Sequence, residues 1–147
     1  MPVKIIPMVI ALFSGVAMAV QGGINSGLSK IIGLLEATLF VHVSATLLVV
    51  VLLFVLQMGH GDLAKLTQAP WYLYLGGVLG VLITYGVIAS IPKVGVTLAT
   101  TAIIVGQVST AMLIDHLGLF GLEKIAFSWV KLGGLFLLAA GARLMLN

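Results

Sequence analysis

Two carboxamides four residues apart, Gln21 and Asn25, interrupt an apolar run and offer the clearest hydrogen-bonding chemistry in the chain. At about 100° per helical residue, Ser14, Met18, Gln21 and Asn25 fall on one line, with Gly15, Ala19, Gly22 and Ser26 on another beside it. The first line presents hydrogen bonds without charge, and the second lets a neighbouring backbone lie close. An unpaired amide in hydrocarbon costs on the order of 2–7 kcal/mol, so the amide line must face protein or a wet cavity. Two readings stand. The line borders a path for a polar substrate, or it joins helices through contacts of about 0.6 kcal/mol each. A second polar set comprises Thr97, Thr100, Thr101, Gln107, Ser109 and Thr110, in which Thr100 and Gln107 share a face. Threonine hydroxyls can bond to the carbonyl of the preceding turn, whereas Gln107 has no such outlet. Ser14, Gln21, Asn25, Thr100 and Gln107 are therefore the candidate substrate-binding residues.

Ionisable groups are few. Of the four acids, Asp62 and Glu123 read as solvated loop residues and Asp115 as part of a hydrogen-bonded helix exit. Glu36 opens a helix, where the dipole favours an anion. His42 is the one histidine well inside an apolar run, with Thr38 and Thr46 a turn to either side, and histidine is the side chain suited to changing charge near neutral pH. An ionisable group within a membrane is a functional hypothesis by default, which makes Glu36 and His42 the coupling candidates. They lie about 240° apart around a helix and form no dyad.

These groups must be positioned by membrane helices. Hydrophobic residues make up 61% of the 147 residues and charged residues 7%, against about 25% charged in a soluble domain. That leaves too little charge to cover a water-facing surface, and mean hydropathy is +1.29. The seven basic residues are scattered singly, so no nucleic-acid footprint exists. The absence of cysteine excludes disulfides, thiolate metal sites and cysteine nucleophiles. The three histidines lack metal-ligand spacing, and no phosphate-binding G-x-x-x-x-G-K-[ST] loop is present. The sequence points to no enzyme, no cofactor and no metal.

A helix needs about 20 apolar residues to span a bilayer. Five spans are predicted, over residues 5–31, 34–58, 71–91, 96–114 and 126–146, forming a single transmembrane domain over residues 1–147. Lys4, the following apolar run and Ala17-Met18-Ala19 could mimic a secretory signal; we expect this segment to be retained as the first span. Gly33 and Pro92-Lys93-Val94-Gly95 are expected to turn the chain, and Trp71, Tyr72 and Tyr74 to sit at the headgroups. No internal repeat is evident. Small residues at Gly76 and Gly80, with Thr84 a further turn along, at Gly106, and at Gly134 and Gly141 offer helix-packing positions. Lys4, Lys65, Lys124 and Lys131 fall on one side of the membrane, and Lys30, Lys93 and Arg143 on the other. So small a bias lets the chain insert both ways, and two opposed copies can then pair about an axis in the membrane plane. Gln107 of an opposed copy would move to roughly the depth of Gln21.

Gln21…Asn25, Trp71…Gly76-Gly77…Gly80, and Gly106-Gln107 followed by Ile114-Asp115-His116-Leu117-Gly118-Leu119 resemble the YdcZ-like family of five-helix bacterial proteins, in the drug/metabolite transporter superfamily. The resemblance covers nearly the whole chain. It implies an all-α integral membrane protein of the bacterial inner membrane, half of a ten-helix inverted-repeat fold, exporting small molecules. The half unit would work as an antiparallel homodimer or beside a paralogous chain. In plan it is similar to the small multidrug resistance proteins, but those use a glutamate in the first helix, and this first helix has no acid. The expected function is therefore a secondary transporter of small polar or amphipathic metabolites or drug-like compounds by alternating access. The rivals are a non-transporting membrane subunit and a passive channel. Leucine at Gln21 or Gln107 separates the first rival, because a scaffold would lose assembly whereas a carrier would lose transport.

Overall fold

The computed structural model describes residues 5–145. Those residues form helices and connecting loops, with no β-strand among them. Five α-helices follow in order: α1 (Ile5–Ile32), α2 (Leu34–Val50), α3 (Leu75–Val94), α4 (Val96–Leu117) and α5 (Trp129–Met145). α2 continues as one π-helical stretch, Val51–Val55, and α3 is preceded by a 3-10 turn, Trp71–Tyr74. Among the described residues four segments are long and apolar enough to cross a membrane: Ile5–Ile32, Leu34–Val55, Trp71–Val94 and Val96–Leu117. The described part of α5 has 17 residues.

The boundaries differ from the sequence expectation in four places, the first being the second span, which ends at Val55 and not at residue 58. α3 runs through Pro92 to Val94, so Gly95 alone makes the turn expected of Pro92–Gly95. Pro92 has no N–H for the carbonyl four residues back, so one helical hydrogen bond is lost, and the helix ends two residues later. α4 continues past Ile114 to Leu117 and ends at Gly118, which adopts the left-handed conformation (φ 62°, ψ 41°) and donates its N–H to Ile114 O. α5 begins at Trp129 instead of Ala126. Before it, the Phe127 ring packs edge-on between His116 and Trp129, at 6.1 and 5.7 Å. The Ile125 N–H reaches back to the Asp115 carbonyl at 2.8 Å. The exit from α4 is thus built from backbone, not from the Asp115 carboxylate.

A Cβ on Gly118 would lie 3.2 Å from Lys124 Cβ and 3.3 Å from Leu122 O, at a φ that L-residues avoid. Gly118→Ala should destabilise the protein by about 1–2 kcal/mol. A lowered midpoint of thermal unfolding in detergent, relative to Gly133→Ala in open space within α5, is the check.

The chain divides into two compact units, Met1–Pro92 and Lys93–Asn147. In the first, α1 and α2 form a hairpin whose link is the single residue Gly33 (φ 102°, ψ 160°). The Gly33 N–H bonds to Ser29 O at 3.0 Å, and its carbonyl accepts from Ala37 N at 3.1 Å. α1 also meets α3 at Gly22, where a Cβ would lie 2.9 Å from Ile91 Cδ1 and 3.1 Å from Val87 Cγ1. The buried residues of this unit are Gly22, Asn25 and Ser26 of α1, Ala37 and Thr38 of α2, and Ile88 and Ile91 of α3. Small and polar residues dominate that set, while Leu, Val, Ile and Phe side chains face outward. This is the pattern of helices that associate in lipid, where apolar burial gives no driving force and close backbone approach does.

In the second unit α4 packs on α5, and Thr101 Oγ1 lies 3.7 Å from Met145 Sδ. The link that opens this unit, Gly95 (φ 84°, ψ 162°), has nearly the conformation of Gly33, and its carbonyl accepts from Ala99 N at 3.2 Å. Gly33–Thr38 and Gly95–Thr100 share the pattern Gly-x-x-x-Ala-Thr, with Ala37 and Ala99 both buried. A short internal repeat is therefore present where none was expected. Uniform hydropathy hides it in the sequence; the positive φ of both glycines exposes it.

Candidate functional site

The amide line of α1 meets α3 at a cavity of about 50 Å³. Met18, Gln21, Gly22 and Asn25 line one side, and Ile83, Thr84 and Val87 the other. Gly22 makes the site possible, since its missing side chain lets Val87 and Ile91 come close enough to seal one edge. Gln21 is exposed, whereas Asn25 is 8% exposed. Among the described residues neither amide has a side-chain hydrogen-bond partner, and no fully enclosed side-chain nitrogen or oxygen is left unpaired. The Asn25 amide therefore opens onto the cavity and is not sealed in apolar packing. A buried amide held this way is costly unless something hydrogen-bonds to it.

The hydroxyls that do not line this cavity behave differently. Ser14 Oγ donates to Ile10 O at 3.0 Å, and Ser14 lies outside the cavity. Thr38 Oγ1 donates to Leu34 O at 2.9 Å, Thr101 Oγ1 to Thr97 O at 2.8 Å, and Ser109 Oγ to Val105 O at 2.7 Å. These groups are satisfied within their own helix. Thr84 makes no such bond among the described residues and faces the amides. Sequence reasoning placed Thr84 only in the row of small residues that continues Gly76 and Gly80. The usable signal was its isolation, as a hydroxyl with apolar neighbours on the same helix face.

Gln107 belongs to the second unit and lines an open groove of about 410 Å³ with Ile103, Gly106, Thr110, Ala111 and Ile114. All six residues belong to α4 and repeat at three- and four-residue intervals along one face. Thr100 is half-buried and lies outside that groove.

The ionisable candidates take separate positions. Glu36, exposed in the first turn of α2, folds its carboxylate over Gly33 and occupies the space a Cβ would need there. His42 is half-buried, with Nδ1 2.9 Å from Thr38 O. A carbonyl only accepts, so Nδ1 carries the proton in that bond, and Nε2 is left facing α3. The approach is to Gly80, where a Cβ would lie 3.8 Å from Nε2. The packing glycines otherwise present open faces: a Cβ on Gly76, Gly106, Gly134 or Gly141 meets nothing within 4 Å.

A comparison with protein families matches residues 6–144 to the family described as "Putative inner membrane exporter, YdcZ". No curated protein and no solved structure matches the chain. With four helices able to span a bilayer and the match extending over almost its whole length, the chain belongs to the YdcZ family of inner-membrane exporters, as a multi-pass membrane protein.

Proposed function

We propose that this chain is half of a secondary exporter, with all five helices in the membrane as one domain over residues 1–147. Two copies inserted in opposite directions, or one copy beside a paralogous chain, make a ten-helix alternating-access carrier in the manner of the drug/metabolite transporter superfamily. Its cargo is a small polar or amphipathic metabolite or drug-like compound. Gln21 and Asn25 bind that cargo, and Gln107 is a further binding candidate, brought to roughly the depth of Gln21 when it belongs to an opposed copy. The single observation that carries this reading is Asn25, a nine-tenths-buried amide with no partner of its own, opening onto a cavity. Plain helix glue would have paired it, since the benefit of a polar contact in a membrane interface comes from the hydrogen bond made. Glu36 has a local role at the start of α2, which leaves His42, poised between α2 and α3, as the better coupling candidate. The open faces at Gly76, Gly106, Gly134 and Gly141 suit contact with a second copy.

The near balance of basic residues on the two sides supports insertion in both directions. A lone cysteine tests it cleanly, because the chain has no other. Asp62 is a poor place for the label, since its carboxylate accepts from Ala64 N at 2.9 Å and caps the short helix Leu63–Gln68. Gly61, in open space beside it, is a better one. With Gly61→Cys and an impermeant maleimide, about half the sites should react in intact cells and the rest after permeabilisation. Reaction from one side only would exclude the antiparallel homodimer and leave the paralogous partner.

A further inference from the structure

We infer that the α1–α3 cavity selects an uncharged group carrying both a hydrogen-bond donor and an acceptor, such as a carboxamide or a hydroxyl, and that Thr84 is its third binding residue. This rests on reading the cavity as the exporter's cargo site. Each of the three polar side chains there is neutral: the amides of Gln21 and Asn25, and the hydroxyl of Thr84. Each amide presents two N–H donors and a carbonyl acceptor, and the hydroxyl gives or takes. Such a set is matched by a group that both donates and accepts.

A charged group fits poorly. No ionisable side chain lines the cavity, and the two coupling candidates have contacts elsewhere. The His42 ring faces Gly80, and the Glu36 carboxylate covers Gly33. A bare ammonium or carboxylate entering here would lose its hydration without gaining a counter-charge. Size sets a second limit. About 50 Å³ compares with roughly 10–15 Å³ of such space for a single water, so the site holds a few waters or one small functional group, with the remainder of the cargo outside it. Neutral polar selection also accounts for the missing acid in α1: a site for uncharged groups has no use for one.

The test is a titration of the full-length chain in detergent micelles, following the side-chain NH2 resonances of Gln21 and Asn25 by nitrogen-15 NMR. Their assignment comes from Gln21→Leu and Asn25→Leu. Acetamide and glycerol should shift both resonances saturably, whereas tetramethylammonium and acetate should leave them in place. Thr84→Val keeps the shape and removes the hydroxyl; it should weaken acetamide binding about fivefold, the effect of one neutral hydrogen bond. Thr84→Ser should restore it to within about twofold. Equal response to tetramethylammonium or acetate, or no response to acetamide, would overturn the inference. The transport reading fails separately: acetamide would still bind, while Asn25→Leu left export unchanged.

Discussion

Asn25→Leu should reduce export at least about tenfold, the effect of losing interactions of roughly 1.4 kcal/mol or more, while the protein folds as well as the wild type or better. The two halves of this expectation come from one observation. The Asn25 side chain is buried to nine-tenths and lacks a partner among the described residues. Replacing an unsatisfied buried amide with an apolar group of similar shape is neutral or stabilising. If the amide were glue, the same change would remove an interhelical bond, costing about 0.6 kcal/mol on average and loosening α1 from α3. Gain of stability with loss of activity is the signature of a polar group kept for function. Thermal unfolding in detergent and protection of overexpressing cells against a panel of antimicrobial compounds measure the two halves. A protein both less stable and still protective would assign Asn25 to packing.

Gly33→Ala should have the largest structural effect of any single added methyl, on the order of 1–3 kcal/mol. At φ 102° and ψ 160° the residue occupies a region open essentially to glycine alone. Its Cβ would also run into the carboxylate of Glu36. Gly95 separates these contributions, because it has a similar backbone (φ 84°, ψ 162°) but nothing within 4 Å of its Cβ. The Glu36 carboxylate is exposed and can swing aside, so Gly33→Ala should cost only slightly more than Gly95→Ala, and adding Glu36→Ala should remove that small difference. As a control, Gly86→Ala lies within α3 in open space and should stabilise by up to about 1 kcal/mol from helix propensity. Unfolding midpoints of the four proteins decide the order.

Much of this architecture was legible in the sequence because apolar length reports on membrane helices almost directly. The first four spans and the turn at Gly33 follow from it. The errors fell where length and hydropathy carry no information. Pro92 reads as a breaker, yet the loss of its one N–H bond does not stop α3 from extending two residues further, to Val94. Ala126 reads as the start of a span, but the aromatic stack of His116, Phe127 and Trp129 holds that segment out of the helix. The repeated Gly-x-x-x-Ala-Thr links were hidden because two positive-φ glycines look like any others until the backbone is known.

The site was half legible. The spacing of Gln21 and Asn25 places both amides on one line, and the structure brings them to one cavity. Which helix would face them was not written in α1. Thr84 emerged only once Gly22 had set the approach of α3. Ser14 shares the amide line by angle but bonds to Ile10 O and stands apart, since a hydroxyl can satisfy itself locally and a carboxamide at Gln21 or Asn25 does not.

The most direct measurement is the reactivity of a lone cysteine at Thr84 toward a small, membrane-impermeant thiosulfonate in intact cells, compared with one at Leu82, which faces outward at 61% exposure. A cargo path opens to water, so Thr84→Cys should react, Leu82→Cys should stay inert in lipid, and Asn25→Leu added to Thr84→Cys should leave its reactivity in place. Equal inertness at both positions would mean that the cavity never meets water, and would contradict the account of Gln21, Asn25 and Thr84 as the lining of an export path.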